Sequence, residues 1–234
     1  MKKLFLILAL AALPFTSAFA FPTDDDEVVT FDILSHFYFG FHGLTPGADP
    51  AFAQSTNFAR SGEIGFNLIE FGVRPYQSGT ISLGVDLDWD NYRLWKSHYW
   101  EVEPVDGTVK VAPSTPFESV SKSVLRVLSF EFPLDFTQTI GQKLDLTVGA
   151  SAELNFAGST HFRATGLDGS VLRNGPYHIA NIKTQLFTYN FHASITYNGI
   201  GLYAKYSPKP QLAEGFGPQF VTWTTGIILR IPKW

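Results

Sequence analysis

The chain contains no cysteine, so disulfides and thiolate chemistry are excluded and stability has to come from the fold alone. Charge is scarce as well: Asp, Glu, Lys and Arg make up 16% of the residues, against about 25% in a soluble globular domain. The net charge of −4 offers no cationic excess, so nucleic-acid binding, which relies on a basic patch, is not expected. Beyond residue 20 there is no apolar run approaching the ~18 residues of a membrane-spanning helix. Helical membrane proteins are thereby excluded.

What the chain does have is aromatic residues, at 15%, and a distinctive N-terminus. Lys2 and Lys3 precede an apolar stretch from Leu4 to Phe15 that ends in the small residues Ala18 and Ala20. This pattern predicts a secretory signal peptide over residues 1–20, cleaved after Ala20. With no cysteine following it, lipoprotein processing is excluded. A short acidic segment, 21–32, would follow, and then a single domain over 33–234 with no linker dividing it.

A chain that meets lipid without apolar helices can only be a closed barrel, because every backbone N–H and C=O in hydrocarbon needs a partner. The periodicity agrees. Ile81, Leu83, Val85, Leu87 and Trp89 alternate with Ser82, Gly84, Asp86, Asp88 and Asp90, the period-two pattern of a half-buried strand. Residues 126–136 and 144–156 alternate in the same way, and residues 33–44 do so less cleanly. Between residues 60 and 74 the apolar face changes parity at Leu68 and Ile69, as a one-residue β-bulge would cause. Further candidates at 182–197, 200–206 and 221–233 bring the count to about eight, predicting an antiparallel up-and-down transmembrane β-barrel.

The connections alternate in length. Short turns are expected at 75–80, 139–143 and Asn198-Gly199, the last a two-residue hairpin signal. Long connections fall at 45–57, 95–122, 166–180 and 207–220. In an outer-membrane barrel the turns face the periplasm and the loops the exterior, which places both termini on the periplasmic side.

A soluble barrel would alternate too, with its apolar face turned inward. Three features favour the membrane arrangement. The polar face carries small residues such as Gly65, Gly84, Gly149, Ser151, Gly201 and Gly226 rather than many Lys and Glu. Aromatics gather at strand ends: Trp89, Tyr92, Trp95, Tyr99, Trp100 and Trp223 toward the loops, and Tyr76, Phe136 and Trp234 toward the turns, as interfacial girdles do. The chain also ends on an aromatic, Trp234, after the apolar set Ile227, Leu229 and Ile231.

Through residues 72–91 (GVRPYQSGTISLGVDLDWDN), 123–155 and 199–218 (GIGLYAKYSPKPQLAEGFGP) the chain resembles the outer-membrane β-barrel proteins of Bacteroidota, the broad PorT-like group. The resemblance implies fold and location and no particular activity. One departure is that Arg230 and Pro232 occupy the alternate positions before the last residue that such barrels fill with hydrophobics.

The sharpest chemical cluster is Asp86, Asp88 and Asp90, on one strand face. It starts like a calcium loop, but the sixth position is Asn91 instead of Gly and the twelfth is Ser97 instead of Glu. A lumen charge network is the expectation, with Glu63, Glu70, Glu131, Asp135, Asp145 and Glu153 joining it and Arg74, Lys205 and Arg230 as cations of inward parity. His36 and His42 share a face about 20 Å apart, too far for one metal ion, and His192 reads as a hydrogen-bonded lumen residue. His98, Glu101 and Glu103 fall in the longest loop. No metal or cofactor is expected. Because eight strands enclose a lumen that side chains nearly fill, the reading is a structural or interaction barrel, closed within, whose partners are outer-membrane lipid, the barrel-assembly machinery and an envelope or extracellular protein met through the loops. A lipid-modifying enzyme acting on lipid A acyl chains and a narrow conduit for apolar solutes are the alternatives; no Ser/His/acid set is apparent in the sequence.

Overall fold

A computed structural model of the chain describes residues 29–44, 55–103, 105–173 and 182–231. The expected signal peptide, most of the acidic segment, most of the 45–57 connection, residues 174–180 and Trp234 lie outside the described residues. The strands are β1 (Val29–Ile33), β2 (His36–Leu44), β3 (Gly62–Tyr76), β4 (Gly79–Arg93), β5 (His98–Val102) and β6 (Val109–Pro113). They continue with β7 (Phe117–Ile140), β8 (Leu144–Gly166), β9 (Val171–Arg173), β10 (Phe187–Tyr197), β11 (Ile200–Ser207) and β12 (Thr222–Arg230). Among the described residues no helix is long and apolar enough to cross a membrane.

Eight of these strands, β2, β3, β4, β7, β8, β10, β11 and β12, pair antiparallel in chain order, and β12 closes the ring on β2 through Thr222↔Leu44 to Arg230↔His36. This is the expected up-and-down barrel. β1 continues β2 along β3 (Val29↔Val73 to Ile33↔Ile69) beyond a kink at Leu34, which sits at φ 55. The first strand therefore begins inside the segment read as an acidic leader to the barrel.

The parity change in β3 is a bulge. Asn67 pairs with Asp86 and Ile69 with Val85, leaving Leu68 as the extra residue. A second bulge corrects the reading of β8. Leu128 pairs with Ala157 and Ser129 with Asn155, so Phe156 is extra, and the alternation that ended there resumes with opposite parity as far as Gly166. β7 likewise runs well beyond the expected 126–136, through two further register shifts.

All three short turns form as expected. Asn198 (φ 53) and Gly199 (φ 84) make the β10–β11 hairpin, and Gly141 (φ 65) opens the β7–β8 turn. The 95–122 connection is no open loop: it holds the β5–β6 hairpin and the first residues of β7. Residues 182–186, read as strand, precede β10, while 207–220 folds inward and buries Leu212 and Phe220. The described chain ends, Val29 and Ile231, both lie at the end of the barrel that carries the short turns.

The ring sorts its side chains by parity. Phe39, Phe66, Leu83, Leu134, Val148 and Leu202 are exposed on the outer wall, while Ser, Thr, Asn and charged residues of the opposite parity are buried within.

Candidate functional site in the barrel lumen

Among the described residues six carboxylates are fully buried, Glu63, Asp86, Asp88, Asp90, Glu131 and Glu153, with one buried amine, Lys205. They converge because β3, β4, β7, β8 and β11 each present their inward parity to one point. Lys205 Nζ lies 2.5 Å from Glu63, 2.7 Å from Asp88 and 3.4 Å from Glu131, and stands over the Tyr38 ring. One ammonium thus serves three carboxylates from three strands, a pairing that offsets the large desolvation penalty of each charge only with further hydrogen bonds.

Those bonds are present. Tyr203 donates to Glu63 at 2.6 Å. Glu131 accepts from Tyr38, Asn190 and, very closely, Ser151. Glu153 accepts from Ser129, Thr188, Asn190 and Gln211. Glycines make room for the large donors: a Cβ on Gly65 would overlap the Tyr38 ring, and one on Gly40 the Tyr203 hydroxyl.

Toward the loops, His42 pairs with Asp90 at 2.9 Å and takes Thr224 on its other nitrogen. The Tyr92 ring stacks on His42, and Phe220 meets it edge-on. Above them Tyr92, Leu94, Trp100, Val109, Leu125, Val127, Ile182, Leu212 and Phe220 form one apolar cluster that plugs this end. Toward the turns, Asp135 pairs with His192 at 2.6 Å, and Asp86 with His36 at 3.1 Å and Asn67 at 2.7 Å. Beyond these a cavity of about 420 Å³ is lined by Glu70, Arg74, Asp145 and Arg230 among others.

The expected network is therefore drawn together in part. Glu63, Asp88, Glu131 and Lys205 form its centre, Glu153 adjoins it through Asn190, and Asp86, Asp90 and Asp135 are each held by a histidine. Arg230 donates to Thr147 instead of pairing with a carboxylate. Asp145 accepts from Thr139, and Arg74 lines the cavity. Histidines, and not the arginines, are the partners of Asp86, Asp90 and Asp135.

Among the girdle aromatics, Trp89, Trp95, Trp223, Tyr76 and Phe136 are exposed, as expected. Tyr92 is not: it is 1% exposed against 47% for Trp89, because it shares the inward parity of Asp90 two residues earlier. Trp100 is also buried, its indole donating to the Tyr92 carbonyl at 2.9 Å, and Tyr99 packs against Phe117 and Phe162.

Two kinds of chemistry are geometrically within reach of these groups. His42, Glu63 and Asp90 bring ligand atoms within 4.8 Å of one another, as do Asp88, Asp90 and Glu153, sets of the type that hold divalent cations. Lys205 already pairs with Glu63 and Asp88, and His42 with Asp90, while Glu153 is held by neutral donors. Near the turn end, Ser35 Oγ lies 3.0 Å from His36 Nδ1, and His36 Nε2 lies 3.1 Å from Asp86, a contact absent from the sequence reading because its acid comes from another strand. Ser35 Oγ is also within hydrogen-bond reach of Glu70 and of Asn67 Oδ1, the latter at 3.0 Å. His36, Asn67 and Glu70 thus compete for the one serine proton, unlike the committed serine–histidine pair of a catalytic triad. No family model and no curated protein matches the chain.

Proposed function

We propose that this chain is an outer-membrane β-barrel of a Gram-negative envelope, with a structural or interaction role, a closed lumen and its loop end as the functional surface. The observation that carries the reading is the inversion of faces. Phe, Leu, Val and Ile side chains are exposed around the wall, while six carboxylates are sealed inside. A soluble barrel would distribute them the other way. The apolar wall along β10 runs from Phe187 to Tyr197, 11 residues, which matches the ~9–11 residues of a tilted strand crossing a bilayer. Trp89 and Trp223 on one rim, with Tyr76 and Phe136 on the other, stand where interfacial aromatics belong. Membership of the PorT-like group of Bacteroidota is part of the same proposal. Its partners are outer-membrane lipid, the barrel-assembly machinery during insertion, and an envelope or extracellular protein at the loop end.

A lipid-modifying activity is disfavoured because the Ser35 hydroxyl is shared with Asn67 and Glu70 instead of being committed to His36. The test is reconstitution of the purified protein into liposomes and planar bilayers. The expected result is insertion that survives carbonate extraction, heat-modifiable gel migration, and conductance at background. Extraction by carbonate would overturn the membrane reading, and large steady conductance would overturn the closed lumen.

A further inference from the structure

Around the loop-side rim of the outer wall the chemistry changes abruptly. Above Trp89, the outward positions on β4, β7 and β8 become Arg93, Lys122, Arg126, His161 and Arg163. Arg60 and Lys96 flank them across a groove of about 610 Å³, which no Asp or Glu lines. Six of the chain's 17 Lys and Arg residues thus gather on one sector of a protein whose net charge is −4. None lies within 4.0 Å of a carboxylate among the described residues.

This crowding is costly to the fold. Lys122 pairs directly across the ladder from Arg163, and like charges so placed are destabilising. Burial, with Arg126 and Arg93 adding to it, holds the Lys122 amine below its ordinary range. Burial followed by Lys122 and Arg126 does the same to His161. An anion in the groove would relieve what the protein leaves uncompensated.

The remaining lining says which anion. Trp95 lies half exposed at the groove, a flat face of the kind on which a sugar ring stacks. Asn57, Ser97 and Ser121 provide polar groups for hydroxyls. Immediately below, Arg126 covers Trp89 at 5.8 Å, and beneath that begins the apolar wall. Cations, hydroxyl-binding groups and a flat aromatic face thus sit together directly above the apolar wall.

We infer that this groove binds the phosphorylated sugar headgroup of a glycolipid in the loop-side leaflet, with the acyl chains running down the wall at β4 and β7. The inference rests on the membrane reading above, so the experiment separates the two. The protein is first inserted into phosphatidylcholine vesicles, where failure to insert would sink the membrane reading itself. Detergent-solubilised protein is then titrated with lipid A, or with the same lipid after phosphatase treatment, and bound lipid is counted by native mass spectrometry.

Lipid A should be retained at least about tenfold better than its dephosphorylated form, and a Lys96→Gln/Lys122→Gln variant should lose that preference, as expected for surface cations facing anionic headgroups. The variant must keep the heat-modifiable migration of the parent, which separates lost binding from lost folding. Added inorganic phosphate or an acidic peptide at matching concentration should displace little lipid. Equal retention of both lipid forms, an unchanged preference in the variant, or full displacement by free phosphate or peptide would overturn the assignment.

Discussion

Lys205 is the single side chain whose removal has the clearest energetic consequence. Glu63, Asp88 and Glu131 are each within 3.4 Å of its amine, and none can reach water. Lys205→Met leaves them buried without a cation, and breaking a buried pair in this way costs about 3–5 kcal/mol. The loss is measurable as a shift in urea unfolding in micelles. Combining Lys205→Met with Glu63→Gln and Asp88→Asn should recover part of it, since fewer charges then lack a partner. Tyr92 offers a positional check. A Tyr92→Trp variant in which the five native tryptophans are replaced should resist quenching by brominated lipid, whereas a variant keeping only Trp89 should be quenched strongly. Tyr92 was legible in the sequence: its parity follows Asp90, and strand alternation outweighs a tendency of aromatics to gather at strand ends. Trp100 was not legible, because its burial depends on the β5–β6 hairpin folding back over the mouth, a tertiary event with no local signature. The partners of Lys205 were visible as a set of inward carboxylates, but which three of them it meets is fixed by strand stagger, which a sequence does not display.

At the scale of elements, turns and bulges decide what alternation can and cannot reveal. Gly199 sits at φ 84, and a Cβ there would come within 2.7 Å of the Arg230 carbonyl. Gly199→Ala is therefore expected to destabilise the β10–β11 hairpin by about 1–2 kcal/mol, from the left-handed backbone alone, with any further cost from that carbonyl. Urea titration of the variant beside Gly141→Ala, whose Cβ would meet nothing within 4 Å, separates the two contributions. The Asn-Gly turn could be read directly, since its residue types encode its geometry. The bulge at Leu68 could also be read, because alternation is clear on both sides of it. The one at Phe156 could not. There the strand beyond runs Ser159, Thr160, His161, Phe162 and Arg163, a mixture whose parity is visible only once the pairing to β7 is known.

Over the whole molecule, the lumen is closed twice. An apolar cluster seals the loop end, and the Lys205 cluster fills the middle, leaving a space of about 50 Å³ between it and the turn-end cavity. That volume admits little more than a water molecule or two. The two seals differ in chemistry, one apolar and one charged, although β4 and β7 contribute to both. Trp100→Ala should therefore lower stability by about 3–5 kcal/mol, as large core truncations do, while bilayer conductance stays at background. Conductance appearing in that variant would show that the charged cluster is no barrier by itself. The walls are also unequal in height. Strands of 24 and 23 residues make up β7 and β8, whereas β11 has 8 residues and β12 has 9. At the usual rise, the ten residues from Phe117 to Arg126 extend the first pair about 30 Å along the strand beyond the apolar belt. On the proposed membrane reading, a macromolecule arriving at the loop end would meet a tall parapet on one side and a low sill, residues 207–220, on the other. Its direction of approach would then be set by the barrel before any side chain is recognised.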